Sequence, residues 1–149
     1  MSRNIFKNGK GVFELPIQYL IAAIVAGVVI FLVSMAAYNM WKEYEIKKVI
    51  NEVKKIVDEA EAMYSTSIEG TKITLDVNLP NSVRKVVFGS EDERLRNHYY
   101  ILMDWGVNKS FFAKNAEFSK AILYEGKQSV VIELVKNEGG ERYIKIYHI

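Results

Sequence analysis

Two different hydrophobic patterns meet near Trp41. From Leu15 to Trp41 no side chain is charged and most are apolar, with Tyr19 and Tyr38 near the two ends. About 20 apolar residues in an α-helix cross the roughly 30 Å hydrocarbon core of a membrane, and aromatic rings favour its boundaries. A cleavable secretory signal has a shorter apolar core, of about 7–15 residues. The pattern therefore predicts a transmembrane helix over residues 12–41.

After Trp41 the apolar residues recur every three or four positions, which is the period of a helix with one buried face. The recurring residues of this stripe are Ile46, Ile50, Val53, Val57, Ala60 and Tyr64, and Val49, Ile56 and Met63 widen it. No Gly or Pro separates the stripe from the transmembrane segment, so residues 42–66 are predicted to extend the same helix. We expect one continuous helix from about Leu15 to about Ser65, with its outer half packed on the domain that follows.

Residues 67–149 contain short segments with the period-two alternation of β-strands, bounded by turn residues. The predicted strands are residues 71–77, 83–88, 98–105, 110–112, 128–135 and 142–149. The last two form the clearest hairpin. The predicted fold class is α+β, with one long N-terminal helix packed on an antiparallel β-sheet or small β-sandwich head. The helix is expected to be membrane-spanning in its first half and amphipathic in its second.

The composition narrows the chemistry that this chain can carry. The 149 residues include 20 Lys+Arg, 18 Asp+Glu, two His and no Cys. Disulfides and thiolate sites are therefore excluded, and the near-neutral charge gives no case for nucleic-acid binding. His98 and His148 fall in predicted strands, and the acidic residues that begin at Glu91 are more typical of a solvated loop than of a cation site. We expect no enzymatic activity, no cofactor, no metal and no small-molecule substrate.

Small residues lie four apart inside the predicted transmembrane helix. Ala22 pairs with Ala26 in this spacing, and Ala23 pairs with Gly27. Such pairs share one face of a helix and let helix backbones approach closely. We expect this segment to pack against helices of other subunits, and a helix surface with no partner is the alternative.

A candidate modification site lies on a predicted turn. Asn108-Lys-Ser has the acceptor pattern for N-glycosylation. The pattern predicts a sugar on Asn108 if the head lies outside the cell, and a chance match is the alternative.

The residues before the apolar stretch form a recognisable motif. A short basic leader, residues 1–11, ends in Lys10 and Gly11, and Val12 and Glu14 then open the hydrophobic helix. This arrangement resembles the start of an archaeal type IV pilin-like protein with a class III signal peptide. The resemblance implies that a prepilin peptidase cuts after the glycine on the cytoplasmic side and leaves the helix in the membrane. It also implies that Glu14 meets the N-terminal amine of a neighbouring subunit during assembly.

The position of Glu14 departs from the family pattern. Family members commonly carry this Glu at the fifth mature position, whereas a cut after Gly11 makes it the third. A cut after Gly9 makes it the fifth, but Lys10 is then the first residue and Asn8 precedes the glycine. We favour Gly11 because Lys10 stands before it. The departure leaves open whether the chain is cleaved and whether it polymerises.

The resemblance implies a structural subunit, a major or minor pilin, of an archaeal surface filament. The expected partners are the membrane, other pilins or copies of this chain through the N-terminal helix, and the prepilin peptidase. A strict count of Lys and Arg on the two sides of the span does not favour a cytoplasmic N-terminus. We still expect one, because a short basic leader is easily retained and the charges after the span belong to a folded domain that can be translocated. The head of residues 67–149 is therefore expected outside the cell, in a single-pass membrane protein or an extracellular filament. The alternative is an uncleaved, membrane-anchored β-sandwich binding module, either stator-like or docking to a surface layer.

Overall fold

The computed structural model describes residues 16–149, together with the helical backbone from Gly9. The elements are α1 (Gly9–Thr66), β1 (Lys72–Leu79), β2 (Val83–Phe88), β3 (His98–Met103), β4 (Asn108–Phe112), β5 (Ala121–Leu123), β6 (Gly126–Lys136) and β7 (Arg142–His148). A short 3-10 helix, Glu93–Leu95, lies between β2 and β3. The paired strands are antiparallel. The predicted α+β fold, with one long N-terminal helix packed on antiparallel sheets, is confirmed.

Helix α1 continues without a break through the change of pattern at Trp41. It ends one residue after the predicted end, and it begins at Gly9, six residues before the predicted start. Pro16, a residue that favours the first turn of a helix, therefore stands inside it. The chain divides between Glu43 and Tyr44 into two compact units. We call the second of these, residues 44–149, the head unit.

The C-terminal end of α1 is closed by its own last residues and by strand β7. The N–H of Ser67 donates to the carbonyl of Met63 at 2.9 Å, and the Thr66 hydroxyl donates to the carbonyl of Ala62 at 2.7 Å. The guanidinium of Arg142 donates to the Ser67 carbonyl at 3.0 Å. A positive charge at this end also opposes the negative pole of the helix dipole. The end of the helix is therefore tied to the sheet that contains β7.

The buried face of α1 in the head unit is the predicted stripe, but its residues are not buried to the same depth. All nine residues of the predicted stripe contact the core, and the fully buried ones are Val49, Val53, Ile56, Val57, Ala60 and Met63. Ile46, Ile50 and Tyr64 are only partly buried. The predicted stripe therefore packs on the core, with its deepest burial along the line that includes Val49, Val53 and Ile56. The spacing of apolar residues in the sequence defines the width of the stripe, but the position of the sheets determines which of its residues are most deeply buried.

The strands form two sheets, with the order β1-β6-β7 in the first and β4-β3-β2-β5 in the second. Along β6 the inward positions are Val130, Ile132 and Leu134, and all three are fully buried. The predicted hairpin is confirmed as β6 and β7, with Ile132 opposite Ile146. No polar or charged side chain is fully buried among the residues that the structure describes. The core is therefore apolar throughout.

The two sheets are joined where residues 117–119 run beside β7. Phe118 forms a parallel bridge with Ile144, and the N–H of Ser119 donates to the Ile144 carbonyl at 2.9 Å. Gly89, just after β2, permits this approach because a Cβ there would collide with the carbonyl of Phe118. Its φ of +65° also lies in the region that favours glycine.

Acidic side chains of α1 attach the helix to the outer edge of each sheet. Glu52 accepts the N–H of Asn78, in β1, at 3.0 Å. Glu61 accepts the N–H of Lys114, just after β4, at 2.7 Å. Because β1 and β4 are the outer strands of their sheets, the helix lies between the two edges that the sheets do not share. The carboxylates also satisfy backbone donors that an open edge would leave unpaired.

The strand predictions miss one strand and misplace several strand ends. Strand β1 continues to Leu79, β3 ends at Met103 and β6 begins at Gly126, whereas ends at 77 and 105 and a start at 128 were predicted. Strand β5 was not predicted, because three residues are too few to show an alternating pattern. Strand β4 begins at Asn108 rather than at Ser110, since its extent follows from pairing with β3, where Asn108 lies opposite Leu102. These differences concern pairing between segments that are separate in the sequence.

Val53 tests the packing of the helix against the sheets. It is 1% exposed, so Val53→Asp places an unpaired carboxylate in an apolar core. We expect this change to cost the head unit about 3 kcal/mol or more of stability. Thermal unfolding of a fragment of residues 42–149 measures the effect. Asn51→Asp adds the same side chain on the exposed face and should melt close to the wild type. Equal melting temperatures for the two variants would contradict the packing.

Glu52 makes the stability of the head unit depend on pH. Burial works to raise its pKa, but hydrogen bonds from Lys55 and from the Asn78 N–H, with the charges of Lys55 and Lys48, hold the pKa below its usual value. The Lys55 ammonium lies 2.6 Å from the carboxylate. A pKa that folding lowers adds stability above the unfolded value, and that stability is lost as the pH falls through the folded value.

We therefore expect Glu52→Gln to lower the melting temperature of the head unit at neutral pH by a few degrees. The difference from the wild type should shrink below about pH 4, where the wild-type carboxylate also becomes neutral. Melting curves across this range measure it. Glu138→Gln, at an exposed residue of the β6–β7 turn, is the control. A difference that stays constant with pH would show that the charge of Glu52 does not matter.

Candidate membrane-spanning helix

The first part of α1 is apolar on every side. From Pro16 to Trp41 the chain has no charged side chain, and every residue of this stretch is exposed. At 1.5 Å per residue the stretch is about 39 Å long, which exceeds the roughly 30 Å hydrocarbon core of a membrane. It is therefore long and apolar enough to cross a membrane. We call residues 16–41 the apolar segment.

The polar groups within the apolar segment suit a hydrocarbon environment. The hydroxyl of Ser34, near the middle, donates to the carbonyl of Ile30 at 2.8 Å. Gln18 and Asn39 lie close to the two ends. A membrane interior offers no water to form hydrogen bonds with polar atoms. A hydroxyl that donates to a carbonyl of its own helix therefore has a lower free energy there than an unpaired one.

The C-terminal end of the apolar segment carries an aromatic and basic cluster. The rings of Tyr38 and Trp41 stack with their centroids 6.0 Å apart, and the Lys42 ammonium lies 4.3 Å from the centre of the Tyr38 ring. Such rings concentrate at the membrane–water boundary, where lysine extends its charge toward the headgroups. The contact of Lys42 was not predicted, although its spacing of four from Tyr38 is the signal that could have shown it.

The small residues of the apolar segment remain open to a partner. Ala22, Ala23, Ala26 and Gly27 are all exposed. A Cβ placed on Gly27 would meet no atom within 4 Å, so nothing in the described structure requires a glycine there. A closely approaching helix would require one, and the role of these residues in helix packing stays a prediction.

The processing and assembly residues lie outside the residues that the structure describes in full. They are Lys10, Gly11 and Val12 at the predicted cleavage site, and Glu14 beyond it. The same holds for the leader, residues 1–11. Their roles stay predictions.

The candidate glycosylation site lies on an edge strand rather than on a turn. Asn108 is the first residue of β4 and is exposed. The hydroxyl of Ser110, the third residue of the acceptor pattern, lies 2.9 Å from Nε2 of His98. The asparagine is therefore accessible, whereas the serine is already in contact with a neighbouring strand.

The residues considered for catalysis or metal binding make ordinary contacts. His98 and His148 lie in different sheets, and the contact of His98 with Ser110 has no carboxylate hydrogen-bonded to the ring among the described residues. Glu91 forms an ion pair with Lys120 at 3.0 Å. Within residues 16–149 no group of three or more His, Asp or Glu side chains is placed to hold a metal ion.

Comparisons with protein families, with curated proteins and with solved structures found no match for this chain. The apolar segment and the fold of the head unit are therefore the properties from which a function can be inferred.

Val29 lies near the middle of the apolar segment and tests membrane insertion. Val29→Arg should raise the free energy of insertion by about 2.5–3.5 kcal/mol, because a charge at the centre of a membrane helix is poorly solvated. Extraction of cell membranes at alkaline pH measures the share of the chain that stays integral. Val29→Leu is the matched control and should behave like the wild type. Complete extraction of the wild-type chain would contradict a membrane span.

Proposed function

We propose that this chain is a type IV pilin-like structural subunit, a major or minor pilin, of an archaeal surface filament. The observation that carries the proposal is the two-part character of α1. Its residues 16–41 are exposed and apolar on every side, whereas its residues 49–63 form part of the core of the head unit. A subunit that is held in a membrane before assembly and packed by its helices afterwards needs both properties in one element.

The apolar segment would then serve in two environments. In the membrane it is covered by lipid, and in a filament it is covered by the same segment of neighbouring subunits. The pairs Ala22 with Ala26 and Ala23 with Gly27 allow close approach of those helices. By the family resemblance, Glu14 would pair with the N-terminal amine of a neighbour, and burial away from water would make that pairing decisive.

The proposed orientation places the basic leader in the cytoplasm and the head unit outside. Prepilin peptidase removes the leader on the cytoplasmic side. The mature chain is then a single-pass membrane protein with an external C-terminal head, and it becomes extracellular when it assembles. No catalytic activity is assigned to it.

An uncleaved, membrane-anchored binding module is the second candidate. The observation that favours it is an aromatic cluster on the outer face of the second sheet. His98 lies 5.0 Å from the exposed ring of Phe112 and 5.9 Å from the ring of Tyr100, measured between ring centroids. Exposed apolar side chains of this kind are typical of binding surfaces. A stator-like or surface-layer-docking protein would use such a face and would keep its N-terminus.

The N-terminus of the mature chain distinguishes the two candidates. We expect the chain, expressed with its prepilin peptidase, to begin at Val12 when its N-terminal peptide is identified by mass spectrometry. Gly11→Val should block the cut, and Gly9→Val is the matched control that should leave it unchanged. A chain that begins at Lys10 would support processing in the other register, with Glu14 fifth.

A chain that still begins at Met1 or Ser2 would contradict the processed pilin and favour the binding module. The binding module also predicts a monomer or small complex in detergent. The pilin predicts filaments that are visible by electron microscopy and lost in the Gly11→Val variant.

A further inference from the structure

The outer side of the second sheet is rich in aromatic rings along β3 and β4. Ile101 and Met103 of β3 are fully buried in the core. Because side chains alternate along a strand, the residues between and before them point away from the core, and residues directly opposite on antiparallel strands share a face. We call the following set the aromatic face: His98, Tyr100 and Leu102 of β3, and Phe112, Ser110 and Asn108, which lie opposite them on β4.

Three rings of the aromatic face form one cluster. The ring of His98 lies 5.0 Å from the ring of Phe112 and 5.9 Å from the ring of Tyr100, measured between centroids. Phe112 is 61% exposed. The neighbouring strand β2 extends the apolar surface, since Val87 lies opposite Tyr100. The face therefore offers a contiguous surface of rings to a ligand from solution.

The polar groups of the aromatic face are hydroxyl, amide and imidazole groups, and two of them are available to a ligand. The hydroxyl of Tyr100 and the side-chain amide of Asn108 have no hydrogen-bond partner among residues 16–149. The hydroxyl of Ser110 lies 2.9 Å from Nε2 of His98. No carboxylate, ammonium or guanidinium group belongs to the face, although Lys85 of β2 lies next to it. The rings are therefore flanked by uncharged donors and acceptors.

The corresponding side of the first sheet has a different composition. There Lys72 pairs with Glu133 at 3.5 Å, and the Tyr147 hydroxyl donates to Glu133 at 3.1 Å. The Lys145 ammonium lies 5.8 Å from the centre of the Tyr147 ring. Such a polar surface is typical of a sheet face that contacts water. The aromatic face therefore differs from the water-contacting face of the same head unit.

The groups of the aromatic face match the surface of a neutral sugar. A pyranose ring has an apolar side of C–H groups, which packs on an aromatic ring, and a rim of hydroxyls, which donate and accept hydrogen bonds. A phosphate or another anion would find no lysine or arginine within the face. A purely apolar partner would bury the Tyr100 hydroxyl and the Asn108 amide without hydrogen bonds, which is costly.

We propose that the aromatic face binds a neutral saccharide that is not part of this chain. The inference goes beyond the proposed function, since the face lies entirely within the head unit and would serve a pilin and an uncleaved binding module alike. The face is an open surface rather than an enclosed pocket, so a chain of sugars can extend beyond it. It therefore suits one segment of a longer glycan as well as a single sugar.

The experiment uses the full chain from a host that does not attach sugars to asparagine, so that Asn108 is unmodified. The chain is held in a zwitterionic detergent, because a detergent with a sugar headgroup would compete. The probes are the methyl glycosides of glucose, galactose, mannose and N-acetylglucosamine. In saturation-transfer NMR, the aromatic protons of the protein should transfer saturation to the C–H protons of at least one probe. Ordinary ligand efficiency gives a dissociation constant of about 1 mM for a molecule of this size.

Two substitutions identify the ring and the hydroxyl responsible. Phe112→Ala removes the most exposed ring of the face and should raise the dissociation constant about 2–10-fold. Tyr100→Phe keeps the ring, removes only the hydroxyl, and should also raise it about 2–10-fold. Tyr44→Ala, at an exposed ring of α1, and Tyr143→Phe, in β7 of the first sheet, are the matched controls and should bind like the wild type. Melting temperatures show whether each variant is folded.

Three outcomes would overturn the proposal. The first is no transfer to any of the four probes at about 10 mM, which is ten times the expected dissociation constant. The second is transfer that Phe112→Ala and Tyr100→Phe leave unchanged, because the sugar would then bind elsewhere. The third is a dimer in the micelle, detected by light scattering, that Phe112→Ala converts to a monomer, because a second copy of the chain would then cover the face.

The outcomes are also separate from the test of the proposed function. A chain that binds no sugar leaves the expected start at Val12 untouched. A chain that still begins at Met1 leaves the sugar contact untouched, because the aromatic face does not depend on the N-terminus.

Discussion

The burial of one face of α1 between the outer edges of two sheets is the interaction on which the head unit depends. The sheets are joined at Phe118 and Ile144, so without the helix their other edges would stay open. Residues such as Val53 and Ile56 fill that opening, and burial of one such side chain is worth about 1.5–3 kcal/mol. Glu52 and Glu61 bind the strands at either side. Because the chain has no cysteine, no disulfide can take over this role.

The other half of the same helix imposes the opposite requirement. Residues 16–41 are apolar all round, so water is an unfavourable surrounding for every face and no part of the described structure covers them. The hydrophobic effect is not directional, and lipid tails and neighbouring helices meet the requirement equally well. Because either apolar surrounding can cover the segment, it could act first as a membrane anchor and later as a packing element, as we propose.

Local features of the sequence were enough to predict much of the fold and part of the candidate site. The apolar segment, the amphipathic continuation and the β6–β7 hairpin follow from short-range periodicity, and they were predicted. The stack of Tyr38 on Trp41 lies where aromatic residues were expected. Two other contacts were not predicted, because their partners are far apart in the sequence. His98 and Ser110 are 12 residues apart, and Asn78 and Glu52 are 26 residues apart. The cleavage motif at Gly11 rests on resemblance, since it lies outside the described residues.

The sequence by itself therefore determined what each segment is: a membrane-grade helix, an amphipathic helix and a set of short strands. These depend on the spacing of apolar residues along a few turns or a few strand positions, which the chain displays directly. Only the tertiary structure decided the strand order, the junction through Gly89, and the line of α1 that faces the sheets. It also decided which charges are paired, such as Glu91 with Lys120. Those outcomes depend on distances between residues far apart in the chain, and such distances exist only once the core has packed.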